Sequence, residues 1–199
     1  MGVAAAVVIA VVNQWERGSG AMAGSSSGES TPGIGLSAET RAQIEAQYPG
    51  LAWSEYRGQV RVVVDKQAMA GFFRWLRDSL RFDLLVDVTC VDYLNYRGAE
   101  HRFGLVYLLC GTSNNERLAV RVLLDEPDLA VPSVVPLWEG ANWMEREVWD
   151  MFGIRFEGHP DLRRILLPEV FTAHPLRKDY PLQGRGERHN FPVIRRGQA

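Results

Sequence analysis

The chain has 199 residues, enough for one domain with tails or at most two small domains. Hydrophobic residues make up 46% and charged residues 23% of the sequence, ordinary values for a globular protein that needs no disulfides to build a core. The formal net charge of −2 argues against a general nucleic-acid-binding surface.

The first 36 residues are predicted to be a flexible extension. The apolar run 3–12 is too short to cross a bilayer as a helix, and no basic residue precedes it as in a signal peptide. The Gly/Ser-rich stretch that follows cannot build a core. Met22 lies within that stretch. Residues 1–21 therefore either precede the true start of translation or form a weak membrane or partner anchor.

Residues 37–126 are predicted to form a core domain, beginning with a helix, a hairpin and a second helix. The first helix is capped by Ser37 and ends near Tyr48. The segments 51–56 and 59–64 flank Arg57-Gly58 as a β-hairpin. Asp65 is predicted to cap the second helix. Apolar residues of that helix follow the helical repeat, at Met69, Phe72, Phe73, Leu76 and Leu80.

Three strands are then predicted over 82–91, 103–110 and 117–124. The short connections favour antiparallel neighbours. The middle strand is apolar on both faces, which indicates the centre of a covered sheet. The two cysteines, Cys90 and Cys110, fall within strands and are interpreted as small buried hydrophobic residues. The predicted class is α+β, with an antiparallel or mixed sheet of about five strands and helices on one face.

Residues 127–199 are predicted to hold a helical turn, a motif helix and an extended segment that binds a partner. Asn142 is expected to cap the motif helix, with Glu145 completing a capping box, and Gly153 is expected to end it. Arg146 and Asp150 are expected to pair at i, i+4 on the polar side, where Glu147 also lies. Trp143, also on the polar side, is a candidate contact residue.

Glu145 falls on the apolar side of the motif helix, and two hypotheses account for it. It could be a carboxyl with a raised pKa that transfers protons. We favour a buried acid that an arginine holds as a structural strut.

The segment from Glu145 to Pro181 carries seven acidic and six basic residues, so its charges nearly cancel and must be paired. His159-Pro160-Asp161 is predicted to begin a short helix from which Arg163 and Arg164 project. Two prolines favour an extended chain farther on, which should lie across another surface. That chain includes His174, Arg177, Lys178, Asp179 and Tyr180. Both histidines precede prolines at turns, which favours hydrogen-bonded structural roles over metal binding.

Long motifs in this region are specific. The stretch ANWMEREVWDMFGIRFEGHPDLRRILLPE, followed by HPLRKDYPL, closely resembles the signature region of the C subunit of NADH-quinone oxidoreductase, or respiratory complex I. The resemblance extends to VDYL at 91–94 and to the order of elements before it, roughly residues 37–182.

This resemblance implies a non-redox subunit in the peripheral arm of a proton-pumping complex on the cytoplasmic side of a bacterial membrane. The chain itself would hold no cofactor. FMN and iron–sulfur clusters would lie in other subunits, and NADH and quinone would be substrates of the whole complex. The partners would be the large quinone-site subunit and the small iron–sulfur subunit, with no nucleic acid and with membrane contact only through the complex. The residues expected at the interface or in structural ion pairs are Trp143, Glu145, Arg146, Glu147, Asp150, His159, Asp161, Arg163, Arg164, His174, Arg177, Lys178, Asp179 and Tyr180.

Three alternatives remain open. The chain could be the equivalent subunit of a related membrane-bound hydrogenase or of a ferredoxin- or F420H2-dependent quinone oxidoreductase. It could be an assembly factor that leaves the finished complex. It could also be a stand-alone hydrolase that uses Glu147, Asp150 and His159, although no nucleophile arrangement is recognisable.

Overall fold

The computed structural model describes residues 35–186. The predictions for the apolar run, for Met22 and for the last residues of the chain lie outside this range. Among the described residues, no helix has the length and apolar character needed to cross a membrane.

The first helix and the hairpin form as predicted. Helix α1 spans Ala38–Gln47, and the Ser37 side chain accepts a hydrogen bond from the N–H of Thr40. Strands β1 (Ala52–Tyr56) and β2 (Gln59–Val63) pair antiparallel. The turn between them places both Arg57 and Gly58 at positive φ, 51° and 76°.

Helix α2 spans Met69–Asp78 and buries the predicted apolar side. The prediction that Asp65 caps it is wrong. The helix begins after Ala68 without any side-chain cap, and Asp65 belongs to a preceding turn in which its carbonyl accepts the N–H of Ala68.

Five strands form one mixed sheet, which confirms the predicted class. Strands β3 (Leu84–Asp92), β4 (Phe103–Cys110) and β5 (Arg117–Leu124) join the hairpin in the order β1-β2-β5-β4-β3. The β3–β4 and β4–β5 pairs are antiparallel, as predicted from their short connections, and β2 pairs with β5 in parallel. The central strand is therefore β5 and not β4.

The motif helix α3 spans Ala141–Phe152 and ends at Gly153, whose φ of 80° confirms the predicted left-handed terminus. Its predicted beginning is wrong, because the helix starts after Gly140 and Asn142 does not cap it. Two short strands were not predicted. They are β6 (Ala130–Pro132) and β7 (Arg155–Glu157), which pair in parallel on either side of α3 in the chain.

The three helices within residues 35–186 bury side chains against one face of the sheet. Ile44, Phe72 and Met151 represent α1, α2 and α3 in a single core that includes Val62 and Tyr107 from the sheet. That core draws on residues from both sides of the predicted boundary at 126. No helix of the described chain covers the opposite face, so the prediction of a covered central strand is wrong for β4.

Candidate functional site

Asp150 organises the loop after the motif helix. Its side chain is fully buried, and Oδ2 accepts the N–H groups of residues 165, 166 and 167 at 2.9–3.0 Å. Arg164 pairs with Oδ1. Burial alone would raise the pKa of this carboxyl, but the three N–H groups and the guanidinium outweigh it and lower the pKa. The predicted Arg146–Asp150 pair on a polar side is wrong, because both residues are buried and each binds the loop.

Arg146 also binds this loop. It is 7% exposed and donates to the carbonyl groups of Arg163 and Arg164 at 3.1 and 3.2 Å. The short helix predicted after His159 is absent, and the chain makes turns there. Side chains of α3 therefore bind the backbone N–H and C=O groups of this segment, which would pair with one another if the segment were a helix.

Glu145 is fully buried, as the apolar phase predicted, but its partners are not arginines. Its carboxylate accepts the N–H of Val134 and the hydroxyl of Ser133, each at 2.7 Å. Within residues 35–186 it forms no ion pair. Burial raises its pKa to about 7, against the two hydrogen bonds, which lower it. Glu145 therefore fastens α3 to the turn after β6 and does not complete a capping box.

The segment after Phe171 closes over the end of α3. His174 Nδ1 lies 3.0 Å from the Asp150 carbonyl, and Arg177 donates to the Phe152 carbonyl at 2.7 Å. These contacts satisfy carbonyl groups that the helix end leaves unpaired. A Cβ at Gly153 would stand 2.7 Å from the His174 ring, so this glycine is needed for close approach as well as for its φ. Burial lowers the pKa of His174, helped by Arg164 and Arg177.

A network of charges then fastens this segment to the sheet. The Lys178 N–H donates to Asp92, which is buried at the end of β3. Arg102 contacts Asp92 at 3.4 Å and Asp179 at 2.9 Å. Arg102 and Arg177 also share the carboxylate of Glu126, at 3.0 and 2.9 Å.

These charged residues were expected at a partner interface or in structural ion pairs, and several of them form structural ion pairs. Arg164 and Arg177 pair with carboxylates of this chain, and Asp179 pairs with a guanidinium group of this chain. Arg163 is exposed and pairs with Asp161. The segment thus packs on its own domain, whereas the sequence predicted that it would lie across another surface.

Asp92 and Arg102 were missed as members of this network. The sequence did carry one signal for Asp92. It stands in the same period-two phase as Val88 and Cys90, which point into the core, so an acid at that position needed a partner.

The packing of the C-terminal segment yields a testable prediction. We expect the amide of Lys178 to exchange slowly with solvent in the isolated chain, because it donates to the buried Asp92. Asp92→Ala should reduce that protection more than it reduces the protection of Leu176, whose amide donates to the Met151 carbonyl. Amide exchange followed by NMR would decide. Fast exchange across 174–179 in the unmodified chain would contradict the observed packing.

The same region exposes large apolar side chains. The exposed fraction is 63% for Trp143 and 59% for Leu166. We call the following set the motif surface: Trp143, Leu166, Val170, Leu176 and Leu182. Trp143 also lines an open cleft of about 500 Å³ with Arg146 and Arg163. The guanidinium carbon of Arg146 lies 5.1 Å from the centroid of the Trp143 ring.

Other predicted residues take separate positions. Glu147 is exposed, as expected, and the Tyr180 ring packs at a tilt against Phe171. His159 contacts the Asn142 carbonyl and accepts the N–H of Asp161, in line with a structural role. The hydrolase hypothesis is not supported, because Asp150 and His159 bind different backbone groups. No metal-binding group of His, Cys, Asp and Glu is found within residues 35–186.

Comparison with known sequences identifies relatives of this chain. The sequence model of one protein family, the 30 kDa subunit of respiratory-chain NADH dehydrogenase, matches residues 62–186. The NADH-quinone oxidoreductase C subunit of Citrifermentans bemidjiense is 49% identical over 131 residues, covering 66% of this chain and 80% of that protein. The C subunit of the same enzyme from Roseiflexus sp. is 48% identical over 134 residues, covering 66% and 75%.

Two solved structures share the fold. A trypsin-resistant fragment of Nqo5 is 36% identical, with a TM-score of 0.54, covering 61% of this chain and 97% of the fragment. A chain of an archaeal membrane-bound sulfane sulfur reductase is 23% identical, with a TM-score of 0.63, covering 79% of this chain and 92% of that one. At that identity the second likeness concerns the fold alone.

Proposed function

Because this chain belongs to the family of the 30 kDa subunit of respiratory-chain NADH dehydrogenase, a component of NADH-quinone oxidoreductase, we propose that it is a structural subunit of the peripheral arm of a proton-pumping complex. It docks on the large quinone-site subunit and contacts the small iron–sulfur subunit. In this position it supports electron transfer from NADH to quinone without carrying a redox centre. FMN and the iron–sulfur clusters belong to other subunits, and the complex is attached to the cytoplasmic side of the membrane.

The motif surface is the observation that carries this proposal. Its five large apolar side chains are 49% exposed or more, and all lie within the part of the chain that the family model covers. Large apolar side chains exposed in the same region are typical of surfaces that a partner covers. Trp143, beside Arg146 and Arg163 in an open cleft, has the composition of an interface anchor.

The polar contacts beneath this surface explain how it could dock rigidly. Asp150 and Arg146 hold the loop that presents Leu166, and Arg177 holds the segment that presents Leu176. Ordering a loop on binding costs free energy, and a loop that is already ordered avoids that cost. The acids and arginines of the motif therefore shape the docking surface from below.

The related complexes remain a second candidate. The shared fold with a chain of the sulfane sulfur reductase agrees with either assignment. The relatives at 48–49% identity, which are named as C subunits of NADH-quinone oxidoreductase, favour the first. The electron-input subunits that co-purify with this chain from membranes would distinguish the two, and recovery of free chain without a complex would favour an assembly factor.

Docking through the motif surface can be tested by substitution. We expect Trp143→Ala with Leu166→Asp to reduce recovery of the large quinone-site subunit at least ten-fold in affinity purification from membranes, since loss of about 1.4 kcal/mol of binding suffices. Both positions are exposed, so the melting temperature of the isolated chain should change little. Ala70→Asp, at an exposed position of α2, is the matched control. Equal recovery of the large subunit with the unmodified chain, the double variant and the control would refute docking through this surface.

A further inference from the structure

The uncovered face of the sheet, opposite the helices, is unusually apolar. We call it the outer face. Register places Leu84, Val91, Val106 and Leu108 of β3 and β4 on this side. Leu84, Val91 and Leu108 are 46%, 39% and 37% exposed. A sheet that faced only water would alternate apolar with polar side chains and would not continue this apolar stripe.

Three arginines flank the stripe on one side. Arg117 and Arg121 stand on β5 with Ala119 between them, and Arg61 of β2 pairs directly beside Ala119. All three side chains therefore surround one small residue. None of them forms an ion pair with a residue in 35–186, although Arg121 donates to the Tyr93 hydroxyl and Arg61 stacks on Tyr56.

The acidic residue that shares the outer face lies on the far side of the stripe. Asp87 of β3 occupies the row that contains Leu108 and Ala119. Three strand spacings separate it from Arg61, roughly 14 Å at the usual distance between strands. The face thus presents an apolar stripe with an unbalanced group of positive charges along one margin.

We propose that the outer face binds an amphipathic, acidic helix of another subunit of the same complex, an inference that rests on the proposed function. The helix lays its apolar side on β4 and directs carboxylates to Arg61, Arg117 and Arg121. Arg117 and Arg121 are four positions apart along β5, a distance of about 13 Å. Seven or eight residues of helix cover about 11–12 Å and return to the same side. The partner helix therefore carries two acids seven or eight positions apart on one flank.

Other occupants fit these charges less well. Residues 1–34 contain two acids, Glu16 and Glu29, thirteen positions apart and outside the required spacing. Residues 187–199 contain one acid and three arginines. A second copy of the chain would bring the same three arginines to the contact.

Photo-crosslinking in the intact complex tests this inference. A benzophenone amino acid replaces Leu108 in the centre of the outer face, or Leu166 on the motif surface, and cross-linked peptides from purified complex are identified by mass spectrometry. We expect position 108 to cross-link to one helix of another subunit with the stated acidic spacing. Cross-links to residues 1–34 or 187–199, to a second copy, or to lipid would overturn the inference.

The two positions separate this inference from the proposed function. Cross-linking at 166 with none at 108 would refute the outer-face site alone, and no cross-linking at either position would refute both. Arg117→Glu should lower the cross-link yield at 108 about five-fold, whereas Arg74→Glu, exposed on α2, should leave it unchanged. Equal yields for the two variants would refute the role of the arginines. Melting temperatures of the isolated variants would show that neither change unfolds the domain.

Discussion

Replacing Asp150 with alanine should destabilise the protein by about 3–5 kcal/mol, the typical effect of removing one partner from a buried, hydrogen-bonded ion pair. The substitution leaves the N–H groups of residues 165–167 without their acceptor. It also leaves the guanidinium of Arg164, whose side chain is 10% exposed, without its carboxylate. Domains of this kind have a free energy of unfolding of only about 5–15 kcal/mol, so a large share of the total would be lost.

Urea denaturation at pH 7 measures this effect. Asp161→Ala is the matched control, because Asp161 is an exposed acid that pairs with an exposed arginine in the same segment and should cost less than about 1 kcal/mol. Asp150→Asn keeps one oxygen acceptor but loses the charge that pairs with Arg164, so we expect an intermediate effect. Comparable midpoints for the Asp150→Ala and Asp161→Ala variants would contradict a central role of Asp150 in the loop.

Replacing Glu145 with glutamine should remove a specific pH dependence of stability. The pKa of Glu145 is raised to about 7 from its ordinary value of 4.5 by burial. Between those values the folded protein holds a proton that the unfolded chain has released. The contribution of Glu145 to stability is therefore fully present below pH 4.5 and is lost as pH rises through 7. As pH rises from 4.5 to 7, we expect the free energy of unfolding of the unmodified protein to fall by about 2–3 kcal/mol relative to that of the Glu145→Gln variant.

The difference between the two proteins isolates this carboxyl from other groups. His174 contributes a pH dependence of the opposite sign, since burial lowers its pKa below the ordinary value of 6.5, but it is common to both proteins. A constant difference in unfolding free energy from pH 5 to pH 8 would show that Glu145 is not the titrating group.

Glu145→Ala should also assemble less well than Glu147→Ala. The first change strands the N–H of Val134 and the hydroxyl of Ser133 and leaves a cavity, whereas Glu147 is exposed. We expect a cost of about 2–4 kcal/mol in unfolding free energy for the first and less than about 0.5 kcal/mol for the second. Recovery of each variant in membrane complexes is the measurement, and equal recovery would mean that burial at 145 does not matter for assembly.

Local patterns in the sequence determined most of the elements. Ser37 was a recognisable cap because its hydroxyl reaches the third residue of the helix, and Gly153 was a recognisable terminus because only glycine readily adopts its φ of 80°. The period-two repeat of Val60 and Val62 assigned the buried side of β2, and the helical repeat of Phe72 and Leu76 did the same for α2. The long motifs after Ala141 indicated the family. All of these signals lie within a few residues of the structure that they predict.

Tertiary structure alone decided which charged groups meet. Glu145 was placed correctly in the interior by helical phase, but its partner Ser133 comes from the turn after β6, whose pairing with β7 no local pattern revealed. Asp150 was assigned to a partner one turn away, whereas its actual partners lie 14–17 residues later. Lys178 and Asp92 are 86 positions apart. A hydrogen bond depends on separation in space and not along the chain, so the sequence showed that these charges needed partners and only the fold determined which partners they have.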